Sequence, residues 1–97
     1  MLRLVDAHHH FWNPEVHHYP WLNDPGHPTH RYGDHSSLRR PYLPEDYRRD
    51  TEGFDLVGSV YEEAEWDPHD PVGEMRYIAS LHAQSGLPSE ASRQTWL

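Results

Sequence analysis

The sequence predicts an α/β fold in which parallel strands alternate with helices. Three observations carry that prediction. An apolar run, Leu2-Arg3-Leu4-Val5, opens the chain almost at its first residue. A second run, Leu56-Val57-Gly58-Ser59-Val60-Tyr61, comes much later, with a short helix-like segment just before it. A helix with both end signals then follows, from Asp70-Pro71 to Gly86. Parallel strands need a crossover between them, so this order fits an alternating architecture.

The first strand is expected over Leu2 to His8. Side chains on a strand alternate between its faces, so unbroken alternation puts Asp6, His8 and His10 on one face. Val5, Ala7 and His9 then take the other. From Phe11 to Tyr42 no period emerges. Pro14, Pro20, Pro25, Pro28 and Pro41 punctuate an irregular excursion. An ordered loop of that length is usually functional, and Trp12, Tyr19, Trp21 and Leu22 are the residues that would pin it down. Leu43 to Arg49 reads as a short helix, with Pro44 in its first turn, Glu45 and Asp46 behind it, and Gly53 as its end.

The second strand, Leu56 to Tyr61, runs into Glu62-Glu63-Ala64-Glu65. On alternation alone, Val57, Ser59, Tyr61 and Glu63 share one face, and Glu62 lies on the other. Asp70 reads as an N-cap with Pro71 as the first helical residue. Met75, Ile78, Ala79 and Leu81 keep helical spacing. Gly86 is a natural C-terminal cap and Pro88 blocks continuation. Residues Ser89 to Leu97 contain no β-branched run and do not continue the pattern.

Composition narrows the function classes. Hydrophobic residues are 35% of the 97, against about 45–50% apolar in an ordinary soluble domain. The mean hydropathy of −0.99 agrees. So little burial offsets the entropy of ordering a small chain poorly, and the sequence reads as a piece of a larger folded unit. Four Trp, six Tyr and two Phe are too many aromatics for a disordered tail. A net charge of −8 argues against a nucleic-acid partner. The pairs Arg39-Arg40 and Arg48-Arg49 read as solvated surface. No stretch approaches the ~18 apolar residues of a membrane span, and the opening residues do not resemble a signal peptide. With no cysteine present, the cytoplasm is the expected compartment.

The candidate chemistry sits in Asp6-Ala7-His8-His9-His10. A His-x-His pair on a strand sends two imidazoles to one side, about 6–7 Å apart at their Cβ atoms. Two nitrogens can then converge on one ion. Asp6 is the candidate outer partner that orients an imidazole. The bare pair is equally compatible with histidines that carry no metal. His9 points away from the pair and is not expected to be a ligand. His17, His18, His27, His30 and His35 enrich the following loop in histidine. They read as a polar loop, or alternatively as part of a small His-rich metal-binding module without catalysis.

Several segments in register resemble the amidohydrolase-related (amidohydrolase 2) metal-dependent hydrolases. Leu4-Val5-Asp6-Ala7-His8-His9-His10-Phe11-Trp12-Asn13-Pro14 is similar to their first strand. Tyr19-Pro20-Trp21-Leu22 and Arg40-Pro41-Tyr42-Leu43-Pro44-Glu45-Asp46-Tyr47 are similar to segments that follow it. Gly58 through Pro68 resembles the second strand and its exit loop, and Asp70 through Arg76 the next helix. The subgroup it most resembles contains sugar and dicarboxylate lactonases.

The resemblance implies a (β/α)₈ TIM-type barrel with its active site at the C-terminal ends of the strands. Residues 1–88 would form its N-terminal part, cut after about two β/α units, with 89–97 a non-matching tail left by truncation or a frameshift. It implies that His8 and His10 bind a divalent metal, zinc or manganese, and that the substrate is a small molecule with a lactone, amide or related carbonyl. The ion would activate water and polarise that carbonyl. A further histidine and an aspartate from late strands would complete the site, so the 97 residues alone are expected to be inactive. The sequence departs from many relatives at Tyr61-Glu62, where they carry His-Val. The resemblance implies that the face of Val57, Ser59, Tyr61 and Glu63 is the barrel interior and that Glu62 meets the helices. Glu63 is then either a substrate or metal-shell group or a solvated loop glutamate. Trp12 either lines the substrate pocket or anchors the loop.

Overall fold

The computed structural model describes residues 1–23 and 36–92. Strand β1 spans Leu2–His9. A four-residue helix, α1, spans Pro20–Asn23, and a 3₁₀ turn spans Ser36–Leu38. Helix α2 is Pro44–Asp50, β2 is Phe54–Glu62, α3 is Pro71–Ser85 and β3 is Glu90–Ser92. The three strands form one sheet in the order β1-β2-β3, with both pairings parallel. The expected alternation of parallel strands with helices is therefore present.

The register of β1 on β2 is irregular in two places. Leu4 pairs with Leu56 and Val5 with Gly58, so β2 carries an extra residue at Val57. Asp6 pairs with Ser59 and His9 with Tyr61, so β1 carries an extra residue between Asp6 and His9. A bulge of this kind shifts the alternation of every side chain beyond it. Before it, Leu4 and Asp6 are half-buried while Val5 and Ala7 are exposed. After it, His9 and Phe11 are buried, His8 is exposed and His10 is half-buried. The expectation that Asp6, His8 and His10 share a face is corrected here, because Asp6 falls on the His9 side.

The facing of β2 is corrected as well. Leu56 packs on the core, and Ser59 and Tyr61 are buried. The Tyr61 hydroxyl reaches Glu74 in α3. Tyr61 therefore points toward the helices and not toward a barrel interior.

The core gathers Phe11, Tyr19, Leu22, Tyr47, Tyr61, Ala64, Trp66, Ile78, Leu81 and Leu87. Most of its largest members are aromatic, which compensates for a chain poor in aliphatic residues. Tyr19 and Leu22 are fully buried, and Trp12 and Trp21, from the same irregular stretch, pack against the core cluster. Trp12 and Tyr42 close that stretch with an antiparallel bridge, exchanging main-chain hydrogen bonds of 3.1 and 2.8 Å.

Helix α3 has the predicted boundaries. Asp70 is its N-cap, Pro71 its first residue, and Gly86 its left-handed C-cap at φ 80°. Its buried face is Glu74, Ile78 and Leu81. Ala79, expected on that face, is exposed. Helix α2 ends at Thr51, not at Gly53. Gly53 instead turns the chain into β2 with φ 98°, a conformation that suits glycine. Beyond Pro88, where no strand is expected, Glu90, Ala91 and Ser92 pair with Val60, Tyr61 and Glu62. Main-chain bonding sustains this short strand without any β-branched side chain.

Candidate functional site

His8 and His10 come together at the C-terminal end of β1. Their ring centres are 5.1 Å apart, set edge to face. The Nδ1–H of His10 donates to the main-chain carbonyl of Glu62 at 2.8 Å. That bond orients the ring and leaves Nε2 as its other nitrogen. This is the outer arrangement that metal-binding histidines commonly have.

The Asp6 carboxylate does not reach an imidazole. Its Oδ1 accepts the main-chain N–H of His8 at 3.1 Å, and its Oδ2 accepts the Tyr47 hydroxyl at 2.7 Å. Partial burial raises its pKa. The two hydrogen bonds and the neighbouring histidines outweigh that and hold the carboxyl below its usual range. Asp6 therefore acts on the main chain that carries His8.

His9 lies on the opposite side. Its ring stacks on Tyr47 at 4.6 Å and meets Phe11 edge-on at 4.9 Å. Neither of its ring nitrogens has a hydrogen-bond partner among the described residues. Burial pushes its pKa below the ordinary histidine value, as a dry aromatic setting does to an imidazole.

Beside His10 lies a cavity of about 310 Å³. Trp12, Trp21, Leu38, Glu63, Ala64 and Glu65 complete its lining. The fold thus brings His10, Trp12 and Glu63 to one place, although Glu63 is far from the others in sequence. The Trp12 indole N–H donates to the Leu38 carbonyl at 2.9 Å, and its ring stacks on Tyr42 at 5.0 Å. The Trp21 indole N–H donates to the Ala64 carbonyl at 2.8 Å. Glu63 donates its main-chain N–H to Ser92 of β3 at 3.1 Å.

Sequence reasoning missed Glu74. It is fully buried, and its Oε2 accepts both the Tyr61 hydroxyl and the Ala64 N–H, the latter at 2.7 Å. A signal for it existed, since Glu74 precedes Ile78 and Leu81 at core-face spacing. Trp21 and Glu65 were also missed as cavity residues, and nothing in their local pattern marks them. His17 packs against Trp66 and Tyr77, each at 4.4 Å, and His18 lies 3.4 Å from Asp67. His27, His30 and His35 lie outside the described residues. Among the described residues, no group of three or more His, Cys, Asp or Glu is placed to hold a metal ion. Nor does any described helix have the length and apolarity to cross a membrane.

No protein-family model matches the chain. It is 32% identical over 87 residues to the uncharacterized protein y4mH of Sinorhizobium fredii (strain NBRC 101917 / NGR234), a match covering 90% of this chain and 29% of that protein. Among solved structures, it superposes on amidohydrolase 2 from Bifidobacterium longum subsp. infantis with a TM-score of 0.61. The chain has an amidohydrolase-like fold. That superposition covers 97% of this chain and 32% of the solved one, at 23% sequence identity. The chain thus spans less than a third of one relative's length and about a third of the other's. The three-stranded parallel sheet is consistent with part of a TIM-type barrel.

Proposed function

We propose that this chain carries the first-strand half of the metal site of a metal-dependent hydrolase acting on a lactone, amide or related carbonyl compound. The observation that carries the reading is the His10–Glu62 hydrogen bond, which frees one nitrogen of an imidazole already paired with His8. The donor set fits. Two imidazoles on one tetrahedral ion, bound at ~2.0–2.1 Å, bring their ring centres about 5 Å apart, and those of His8 and His10 are 5.1 Å apart. Zinc or manganese is the ion proposed. When bound, such an ion supplies Lewis acidity, lowering the pKa of water and polarising a carbonyl.

The chain's own residues do the positioning. Asp6 holds the His8 main chain, Glu62 orients His10, and Trp12 and Glu63 flank the space beside them. A catalytic zinc site usually has three protein ligands, so we read the 97 residues by themselves as inactive. Further ligands would come from outside them. Membership of the lactonase subgroup and a cytoplasmic location are the finer parts of this reading. They rest on the sequence resemblance and on the absence of cysteine.

Calorimetric titration with zinc and with manganese tests the reading. One ion should bind, and His8→Ala and His10→Ala should each weaken it at least about tenfold, the loss that even an outer partner's removal causes. A His17→Ala/His18→Ala variant should bind as the parent does. Unchanged affinity in His10→Ala would overturn the proposal.

A further inference from the structure

The extra residue in β1 lies between Asp6 and His9, and one side chain of α2 grips both ends of that interval. Tyr47 donates its hydroxyl to Oδ2 of Asp6 at 2.7 Å. Its ring stacks on His9 at 4.6 Å, with the two planes 28° apart. Between those contacts, the main-chain N–H of His8 donates to Oδ1 of Asp6 at 3.1 Å. Asp6 thus bonds the backbone two residues ahead of it, a local turn that aspartate favours. Tyr47 holds the carboxylate that makes this turn.

Tyr47 is itself held on several sides. It is buried, and Phe11 meets its ring edge-on at 5.6 Å. At the start of α2, the Asp46 carboxylate accepts the Leu43 N–H at 2.9 Å. Arg48 donates to the Ser85 carbonyl at the end of α3. A helix fastened at both of these points gives the Tyr47 hydroxyl a fixed base. Bulges concentrate next to functional sites, where they re-aim side chains. Without the extra residue, His8 and His10 would fall on the half-buried face of Asp6, and His9 on the other.

We propose that Tyr47 is a positioning residue for the His8–His10 pair. Acting through Asp6, its hydroxyl locks the bulge and so sets the direction of the two imidazoles and the 5.1 Å between their ring centres. The bearing of this on a metal ion rests on the hydrolase reading above, but the lock on the bulge does not.

The test uses the full 97-residue chain. Tyr47→Phe removes the hydroxyl and keeps the stacked ring. Tyr42→Phe is the matched control, because the Tyr42 hydroxyl also donates to a carboxylate, that of Asp50 at 2.6 Å, in a contact that does not involve β1. In calorimetric zinc titrations, Asp6→Ala should weaken binding about tenfold, as the loss of an outer partner does, and Tyr47→Phe about fivefold. Added to Asp6→Ala, Tyr47→Phe should cause no further loss, because its route to His8 is gone. Tyr42→Phe should bind as the parent does. A tyrosine that serves only stability would lower the melting temperature without this coupling. Hydrogen exchange of the His8 amide, followed by NMR in the metal-free chain, should quicken about threefold in Tyr47→Phe and not in Tyr42→Phe. The proposal is overturned if Tyr47→Phe binds zinc as the parent does, if the two losses multiply, or if His8 exchange is unchanged. Quickened His8 exchange in a chain that binds no zinc sinks the metal reading and leaves the lock standing. Zinc binding that needs His8 and His10 but ignores Tyr47 sinks the positioning role alone.

Discussion

Inside the core, the hydroxyl of Tyr61 donates to the carboxylate of Glu74, joining β2 to α3 through two fully buried side chains. Burial and the Glu74 charge hold the Tyr61 hydroxyl far above its ordinary range, so it stays a donor. Tyr61→Phe and Glu74→Met should each cost about 1–3 kcal/mol, because each leaves a buried polar partner short of a bond. The double variant should cost less than the sum, since both remove one shared interaction. Urea unfolding of the four proteins measures this, and strict additivity would refute the coupling.

His9 has no hydrogen-bond partner for either ring nitrogen among the described residues. Replacing an unsatisfied buried polar group with an apolar one of similar shape tends to be neutral or stabilising. His9→Phe should therefore lie within about 1 kcal/mol of the parent, or above it. Its zinc affinity should be unchanged. A loss beyond about 2 kcal/mol would reveal a polar partner for this ring.

Gly86 caps α3 with φ 80°. A side chain there meets no close contact beyond Arg48, 3.9 Å away. The cost of Gly86→Ala is therefore conformational, about 1–2 kcal/mol. If general helix propensity governed this position, Gly86→Ala would instead stabilise by about 1 kcal/mol. Thermal melts of parent and variant decide between the two, and a raised melting temperature would refute the conformational cost.

Burial against Trp66 and Tyr77 lowers the pKa of His17 below its ordinary 6.5. The unfolded chain then takes up this proton at a higher pH than the folded one. The stability involved is present above pH 6.5 and is lost as pH falls through that value toward the lowered one. His17→Phe should flatten this part of the profile. Melting temperatures of parent and variant between about pH 8 and pH 5 give the comparison. Parallel curves would show that His17 contributes nothing.

The boundaries of α3 were legible because Asp70, Pro71 and Gly86 act locally, each through its own backbone preference. The two long strands were legible from their apolar runs. Their facing was not, because a bulge is a property of pairing between β1 and β2, and Asp6 has no view of Ser59 within its own segment. Strand β3 escaped for a related reason, as its three residues are held by main-chain bonds to β2. In the candidate site, the sequence singled out His8, His10, Trp12 and Glu63 by residue type. The meeting of His10, Trp12 and Glu63 around one cavity depends on the aperiodic path through Trp21 and Leu38. The charge of Glu74 hid it from a search for apolar spacing, although its position obeys that spacing.

Strand alternation gives three identical neighbours unlike environments, and the extra residue in β1 decides which of them turns inward. His9 enters a dry aromatic setting with Tyr47 and Phe11, while His8 and His10 remain on the opposite, wetter side. The run is thus one repeat in composition and two populations in chemistry. A reagent that modifies accessible imidazoles would sort it into a reactive outer pair and a protected middle member.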